Sequence, residues 1–305
     1  MPEFRKDYVL DRWVIIAPER GKRPFDFKKP AAPEVKKTCQ FCPGNEEMTP
    51  KEIMRFEKKG KWLVRVIPNK YVAVSKDAKA IKEKGLTSMP AVGSHEVVIE
   101  TPSHKKQLWD LDIKQIVFVL EAYIQRISSL KGYTLVFKNH GRDAGTSVVH
   151  SHTQLISSNK IPPFIEEKLK AVKGKKCPYC QMIKKERNSK RMIAENKSFI
   201  AIAPYASRFP MEAWILPKKH IKSIVDVDDL TSLSKMLKML LLKLKKINAS
   251  YNFYIHNAPK GKDLHFMIEI APRLATWAGF ELGSDIIVNV LPPEKAALFY
   301  RSSKA

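Results

Sequence analysis

The chain has 305 residues, 44% hydrophobic and 28% charged, which leaves room for about two domains of roughly 150 residues each and excludes a disordered polypeptide. No apolar run reaches the roughly 18–20 residues that span a bilayer, and the start, MPEFRKDYVL, shows no apolar stretch with a small-residue cleavage site, so no membrane partner is expected and a cytoplasmic location is. Lys and Arg exceed Asp and Glu by 24; that field attracts anions of any kind, and the basic clusters at 173–176 and 243–246 lack the interleaved aromatics that stack nucleobases.

In chain order, Arg20 and Arg23 in E-R-G-K-R-P offer guanidinium forks for phosphate. A first C-x-x-C pair, Cys39 and Cys42, is followed by Asn69-Lys70-Tyr71 and a strand-like EVVIETPSH ending at His104. An acidic start over 109–112 leads into an amphipathic helix predicted to run to about Leu130. Next come the β-rich YTLVFKN (Tyr133–Asn139), a turn through Gly141 and Gly145, and a strand in VHSHTQLI. After a Lys/Pro-rich stretch at about 160–176, the order returns: Cys177 and Cys180, Asn196-Lys197-Ser198, EAWILPKKH ending at His220, and an acidic start over 225–229. A helix with Leu230, Leu233, Leu237, Leu240, Leu241 and Leu244 on one stripe then leads to YNFYIHN (Tyr251–Asn257) and DLHFMIEI. His104 to His150 spans 46 residues and His220 to His265 spans 45. The expected fold is therefore α+β, two related halves (1–165 and 166–305), each an antiparallel sheet with a long helix packed on it.

Four cysteines in two C-x-x-C pairs read first as zinc knuckles with separate metal sites; a single shared four-cysteine site or no metal is the second reading, and no thioredoxin-like βαβ pattern supports a redox pair. Overlaying the halves supplies histidines for two closed sets, Cys39, Cys42, His104 and His150, and Cys177, Cys180, His220 and His265, so up to two zinc ions per chain are expected. Four protein ligands leave no open coordination position, so both sites would be structural. In V-H-S-H-T-Q, His150, His152 and Gln154 alternate on one strand face; their counterparts are His265, Met267 and Glu269. His152 alone has no histidine counterpart, which makes it the expected catalytic residue. A neutral imidazole attacks phosphorus to form a phosphoramidate. Gln154 can donate to a non-bridging phosphate oxygen, and the glycine-containing turn before the strand can cradle phosphate.

The motifs D-R-W-V-I-I-A-P-E-R-G-K-R-P (Asp11–Pro24), C-Q-F-C-P-G, R-V-I-P-N-K-Y (Arg65–Tyr71), S-H-E-V-V-I-E, F-K-N-H-G, H-S-H-T-Q and A-G-F-E-L-G (Ala278–Gly283) resemble, across nearly the whole chain, the galactose-1-phosphate uridylyltransferase family of the histidine-triad superfamily. The resemblance implies two histidine-triad-like halves and ping-pong transfer of UMP between UDP-hexose and hexose 1-phosphate through a nucleotidyl-His152. It further implies substrate binding by Arg20, Arg23, Asn69, Asn139, Ser147 and Gln154, with Phe280 and Glu281 reaching the hexose across a homodimer interface. Ser151 stands where many uridylyltransferases have proline, and H-S-H-x-Q also resembles ADP-glucose phosphorylases, which transfer adenylyl. Ala275-Thr276-Trp277 stands where bacterial members carry a hexose-loop lysine. A zinc-knuckle nucleic-acid-binding protein is the rival from another class, and it leaves His152 unexplained; the expected partners are a nucleotide sugar and a sugar 1-phosphate, not nucleic acid.

Overall fold

The computed structural model describes residues 1–6, 13–17, 38–174 and 176–302. The first half contributes β1 (Glu3–Lys6), β2 (Trp13–Ile16), β3 (Met54–Lys58), β4 (Lys61–Pro68), β5 (Ser88–Pro90), β6 (Gly93–Ile99), α1 (Ile113–Ser129), β7 (Tyr133–His140) and β8 (His152–Ser158). The second half contributes α2 (Pro163–Val172), α3 (Pro178–Glu186), β9 (Met192–Glu195), β10 (Phe199–Ile202), β11 (Ala213–Pro217), α4 (Leu230–Lys246), β12 (Tyr251–His256), β13 (Met267–Pro272), α5 (Gly279–Ser284) and α6 (Pro293–Arg301). Ten strands form one antiparallel sheet in the order β3-β4-β6-β8-β7-β12-β13-β11-β10-β9, and β2-β1-β5 form a small second sheet. Read outward from the seam between β7 and β12, both halves have the same strand order, so the duplicated unit seen in the sequence is a duplicated meander joined edge to edge.

Both long helices begin where an aspartate can cap them. Asp112 accepts from the backbone N–H of Gln115 at 2.8 Å and Asp229 from that of Ser232 at 2.9 Å, satisfying donors that the first turn leaves open. Their apolar stripes lie on one sheet face: Ile116, Val119, Leu120 and Tyr123 of α1, with Leu233, Leu237, Leu240 and Leu244 of α4, share a core with Val66, Val98, Val136, Leu155, Phe253, Ile255, Ile268 and Ile270. Burying each such leucine contributes about 1.5–3 kcal/mol. Because strand side chains alternate, the intervening residues face the other way. That second face carries Ile99, His152, Gln154, Phe137 and Asn139, and across the seam Tyr254, His256, Met267 and Glu269, as the cross-strand pairs require.

Two details of the sequence overlay change in three dimensions. Asn69 follows β4, whereas Asn196 sits in the β9–β10 hairpin that matches β3–β4, so N-K-Y and N-K-S are not equivalent. Asn196 instead holds its hairpin, accepting from the N–H of Phe199 at 2.8 Å and donating to the Ser232 carbonyl at 3.1 Å. Matching YTLVFKN to YNFYIHN letter by letter sets Asn139 against Asn257. Phe137 pairs with Gln154 and Tyr254 with Glu269, so Asn139 corresponds to His256. A one-residue slip exchanges the two faces of a strand.

Candidate active site

The site is built on β8 and its neighbours. His152 is 8% exposed, and its Nδ1 donates to the carbonyl of His150 at 2.8 Å. A carbonyl can only accept, so the proton resides on Nδ1 and Nε2 keeps its lone pair. Burial, reinforced by the positive charge of Lys138, pushes the imidazole down to about 4, so the ring is neutral at pH 7. Phe41, inside the first C-x-x-C, packs edge-on against this ring with centroids 5.5 Å apart.

Two residues along the same face, the side-chain oxygen of Gln154 is held from two sides. The Ala73 N–H donates to His95 Nδ1 at 3.1 Å, which leaves the proton on Nε2, and Nε2 donates to Gln154 Oε1 at 2.9 Å. Asn69 Nδ2 reaches the same oxygen at 3.2 Å while its own oxygen accepts from the Tyr71 N–H at 2.8 Å. With its carbonyl pinned, Gln154 presents its NH₂ group. His95, Gln154, Asn139 and Gly145 line a cavity of about 260 Å³ walled by Phe137, Ile156 and, from the small sheet, Ile15. Gly141 and Gly145, both at φ near +80° (81° and 80°), turn the chain between β7 and β8 in a conformation that side-chain-bearing residues rarely adopt.

Behind β8 lies a buried ionic network. Lys138 Nζ donates to Glu100 Oε2 at 2.7 Å, to Ser151 Oγ at 3.1 Å and to the His152 carbonyl at 3.0 Å. Ser151 and Thr153 hydroxyls also donate to the Glu100 carboxylate, and Tyr123 donates to Thr153 at 2.8 Å. Burial opposes both charges, but Lys138 and the hydroxyls hold Glu100 below the usual carboxylate range. Ser151 thus has a structural reason to be a hydroxyl residue here.

The two Cys/His sets gather as expected: in each, the four ligand atoms lie within 4.8 Å of one another. In the first, His150 Nδ1 is 3.7 Å from Cys39 Sγ and 3.6 Å from Cys42 Sγ, and His104 Nδ1 is 3.4 Å from Cys42 Sγ. In the second, Cys177 and Cys180 sulfurs lie 3.8 and 3.5 Å from His265 Nδ1, and His220 Nδ1 lies 3.5 Å from Cys180 Sγ. Metal–sulfur bonds of about 2.3 Å and metal–nitrogen bonds of about 2.0 Å at tetrahedral angles give ligand–ligand edges of roughly 3.3–3.8 Å, so both donor sets fit a zinc-sized ion. The outer nitrogens are oriented too: His150 Nε2 donates to the Thr101 carbonyl at 2.7 Å, His265 Nε2 to that of Pro217 at 3.0 Å, and His220 Nε2 lies 2.8 Å from Asp263. Burial and the neighbouring cysteine push the Cys42 and Cys180 thiols up to about 11; a bound cation reverses that cost.

The position matching His152 is closed in the second half. Met267 is 1% exposed and packs with Ile183, Ile200, Ile202 and Leu216, with Lys168 Nζ 3.7 Å from its sulfur. Glu269, matching Gln154, is tied to Arg208 and His256.

Of the residues singled out from sequence, Gln154 and Asn139 line the cavity, Asn69 touches Gln154, His152 stands beside Gln154 on the same face of β8 outside the cavity lining, and Ser147 is exposed on the adjoining turn. Phe280 and Glu281 lie on α5, away from the cavity lining; Glu281 caps its own helix through the Ala278 N–H at 2.9 Å. Arg20 and Arg23 lie outside the described residues. His95, Lys138, Glu100 and Asn252 were not singled out; their roles follow from strand register, which no local motif records.

Residues 1–162 match the family model described as galactose-1-phosphate uridyl transferase, N-terminal domain, and residues 111–298 match a domain of unknown function, DUF4921. The chain is 36% identical to an ADP-glucose phosphorylase of Arabidopsis thaliana over 98% of this chain and 92% of that protein. It is 28% identical to a galactose-1-phosphate uridylyltransferase of Thermotoga maritima over 100% and 99%. A solved ADP-glucose phosphorylase from Arabidopsis thaliana with bound ADP-glucose superposes with a TM-score of 0.78 at 33% identity, covering 100% of both chains.

Proposed function

Because the chain belongs to the galactose-1-phosphate uridylyltransferase family, we propose that it transfers a nucleotidyl group from a nucleoside diphosphate sugar through a covalent intermediate on His152. The observation that carries this reading is the His152 Nδ1 bond to the His150 carbonyl, which keeps Nε2 unprotonated on the cavity face of the sheet. The Nε2 lone pair attacks the α-phosphorus, the bond to the bridging oxygen breaks, and sugar 1-phosphate leaves with that oxygen. An acceptor phosphate oxygen then attacks the same phosphorus, the P–N bond breaks, and neutral His152 is restored. Gln154 and Asn139 donate to non-bridging oxygens as charge shifts, and the 141–147 turn helps hold the phosphates. Zinc at both Cys₂His₂ sets would stiffen the scaffold; with four protein ligands each, it takes no part in bond-making.

The favoured donor is an ADP-sugar with inorganic phosphate as acceptor, supported by 36% identity to an ADP-glucose phosphorylase against 28% to the Thermotoga uridylyltransferase. Exchange of UMP between UDP-hexose and hexose 1-phosphate is the second reading, supported by the family match over residues 1–162. Single-turnover labelling with α-³²P-ADP-glucose and α-³²P-UDP-glucose, chased with phosphate or with galactose 1-phosphate, separates the two. The working form proposed is a homodimer, a reading supported by the run of exposed apolar side chains over residues 280–290, Phe280, Leu282, Ile286, Val288 and Val290, the last 80% exposed. Light scattering reports that state. Among the described residues no helix is long and apolar enough to cross a membrane, and a cytoplasmic setting suits reduced metal-binding cysteines.

A further inference from the structure

Gln154 is not the only amide in the site whose oxygen is pinned. Asn139 of β7 lies directly opposite Asn252 of β12 across the seam between the halves. Asn252 is 8% exposed. Its Nδ2 donates to the Ala144 carbonyl at 3.0 Å and to Asn139 Oδ1 at 2.9 Å. Since Ala144 offers only an acceptor, Asn252 must direct its NH₂ group there, and the atom of Asn139 facing it must be the oxygen. Both hydrogens of that NH₂ are thereby committed, and the NH₂ of Asn139 is turned away from the seam, on a residue that lines the cavity.

The same bond anchors the turn. Ala144 lies between Gly141 and Gly145, and the turn closes on itself through Gly145 N–H to the Arg142 carbonyl at 2.9 Å and Thr146 N–H to the Gly141 carbonyl at 3.2 Å. Beside it, Ser250 donates to Asp143 at 3.2 Å. A Cβ on Gly141 would stand 2.3 Å from Ser250 Oγ, so the turn is seated tightly on the second half.

We propose that Asn252 is a positioning residue for transfer: from the half without a nucleophile, it orients the Asn139 amide and fixes the Ala144 carbonyl of the phosphate-facing turn. The second half then contributes to catalysis through one side chain, beyond its share of the sheet. This rests on the reading above that Asn139 contacts the nucleotide phosphate.

The test is a double-mutant cycle on Asn139→Ala and Asn252→Ala in the full chain, reading the single-turnover rate of nucleotidyl-enzyme formation at saturating ADP-glucose or UDP-glucose. Bound metal and circular dichroism are followed alongside, and the isosteric Asn252→Asp serves as a second variant should alanine impair folding. Asn252→Ala is expected to slow formation about 10–100-fold with metal content unchanged, and to slow the enzyme by a clearly smaller factor when Asn139 is already alanine, because the part of its role that runs through the Asn139 amide is then gone and only the hold on the Ala144 carbonyl remains. A slow Asn139→Ala with a normal rate in the folded Asn252 variants, or effects that multiply in the double mutant, overturns the positioning role alone. A normal rate in Asn139→Ala overturns the placement of Asn139 on the phosphate, and the inference with it.

Discussion

His152 and His150 are joined twice: they are neighbours but one on the chain, and the His152 Nδ1 donates to the His150 carbonyl at 2.8 Å. The residue whose imidazole joins the first Cys/His set therefore sets the tautomer of the proposed nucleophile with its main chain. Phe41, between Cys39 and Cys42, packs against the same ring. The first Cys/His set is consequently joined to the proposed nucleophile, whereas the second lies next to buried Met267.

That asymmetry predicts different outcomes for matched substitutions. Cys177→Ser is expected to lower the metal content from about two ions to about one and to destabilise the fold, with transfer retained in the folded fraction. Cys39→Ser is expected to lose one metal as well and to slow nucleotidyl-enzyme formation by about 10–100-fold, the scale of losing an oriented ligand shell. Metal analysis with single-turnover kinetics checks both; equal rates in the two variants would break the link.

Gln154→Ala is expected to slow both half-reactions by about 10²-fold with a smaller effect on donor binding, the usual scale for one donor to developing charge. His95→Leu should reproduce part of that loss, because it removes the donor that pins Oε1. Rapid-quench rates for formation and decay of the intermediate decide it. Rates like the wild type in Gln154→Ala would remove the residue from the mechanism.

Lys138→Met leaves the Glu100 carboxylate buried and unpaired, so it should cost about 3–5 kcal/mol of stability. Glu100→Gln combined with Lys138→Met removes both charges and should recover much of that loss. Urea unfolding of the wild type and the two variants measures the difference.

The pH dependence follows from the direction of the His152 shift. Burial pushes its folded value down to about 4, below the ordinary value of 6.5, so the neutral imidazole predominates above about pH 5. The rate of intermediate formation should be flat from pH 5.5 to 8 as far as His152 is concerned, falling only near pH 4. A cation on His150 acts in the same direction. For stability the sign agrees: protonation favours the unfolded chain, so the contribution is complete above pH 6.5 and is lost as pH falls toward 4. A midpoint near 6.5 in the rate profile of formation would contradict the buried, neutral ring.

The strongest signals in the sequence were periodic or duplicated. Leucines at helical spacing marked α4, aspartates marked both helix starts, and paired C-x-x-C motifs with histidines at matched intervals marked both clusters. What escaped was set by register. Asn139 and Asn257 look equivalent as letters, yet one residue of slip puts them on opposite faces. Lys138, one position from Asn139, serves the helix-covered face, and its partner Glu100 is 38 residues away, just past the end of β6. His95 reads as an ordinary strand residue until β6 is laid beside β8. Asn252 gains meaning only once the halves meet at β7 and β12.

The most direct test of the central claim is covalent capture. Wild-type protein incubated with α-³²P-ADP-glucose or α-³²P-UDP-glucose should carry label that is stable to base and labile to acid, as a phosphoramidate is, and that leaves on adding the acceptor phosphate. His152→Ala should fold and keep its metal, since Met267 fills the matching position in the second half, and it should take up no label. Label of the same stability on His152→Ala would contradict the assignment of His152 as the nucleophile.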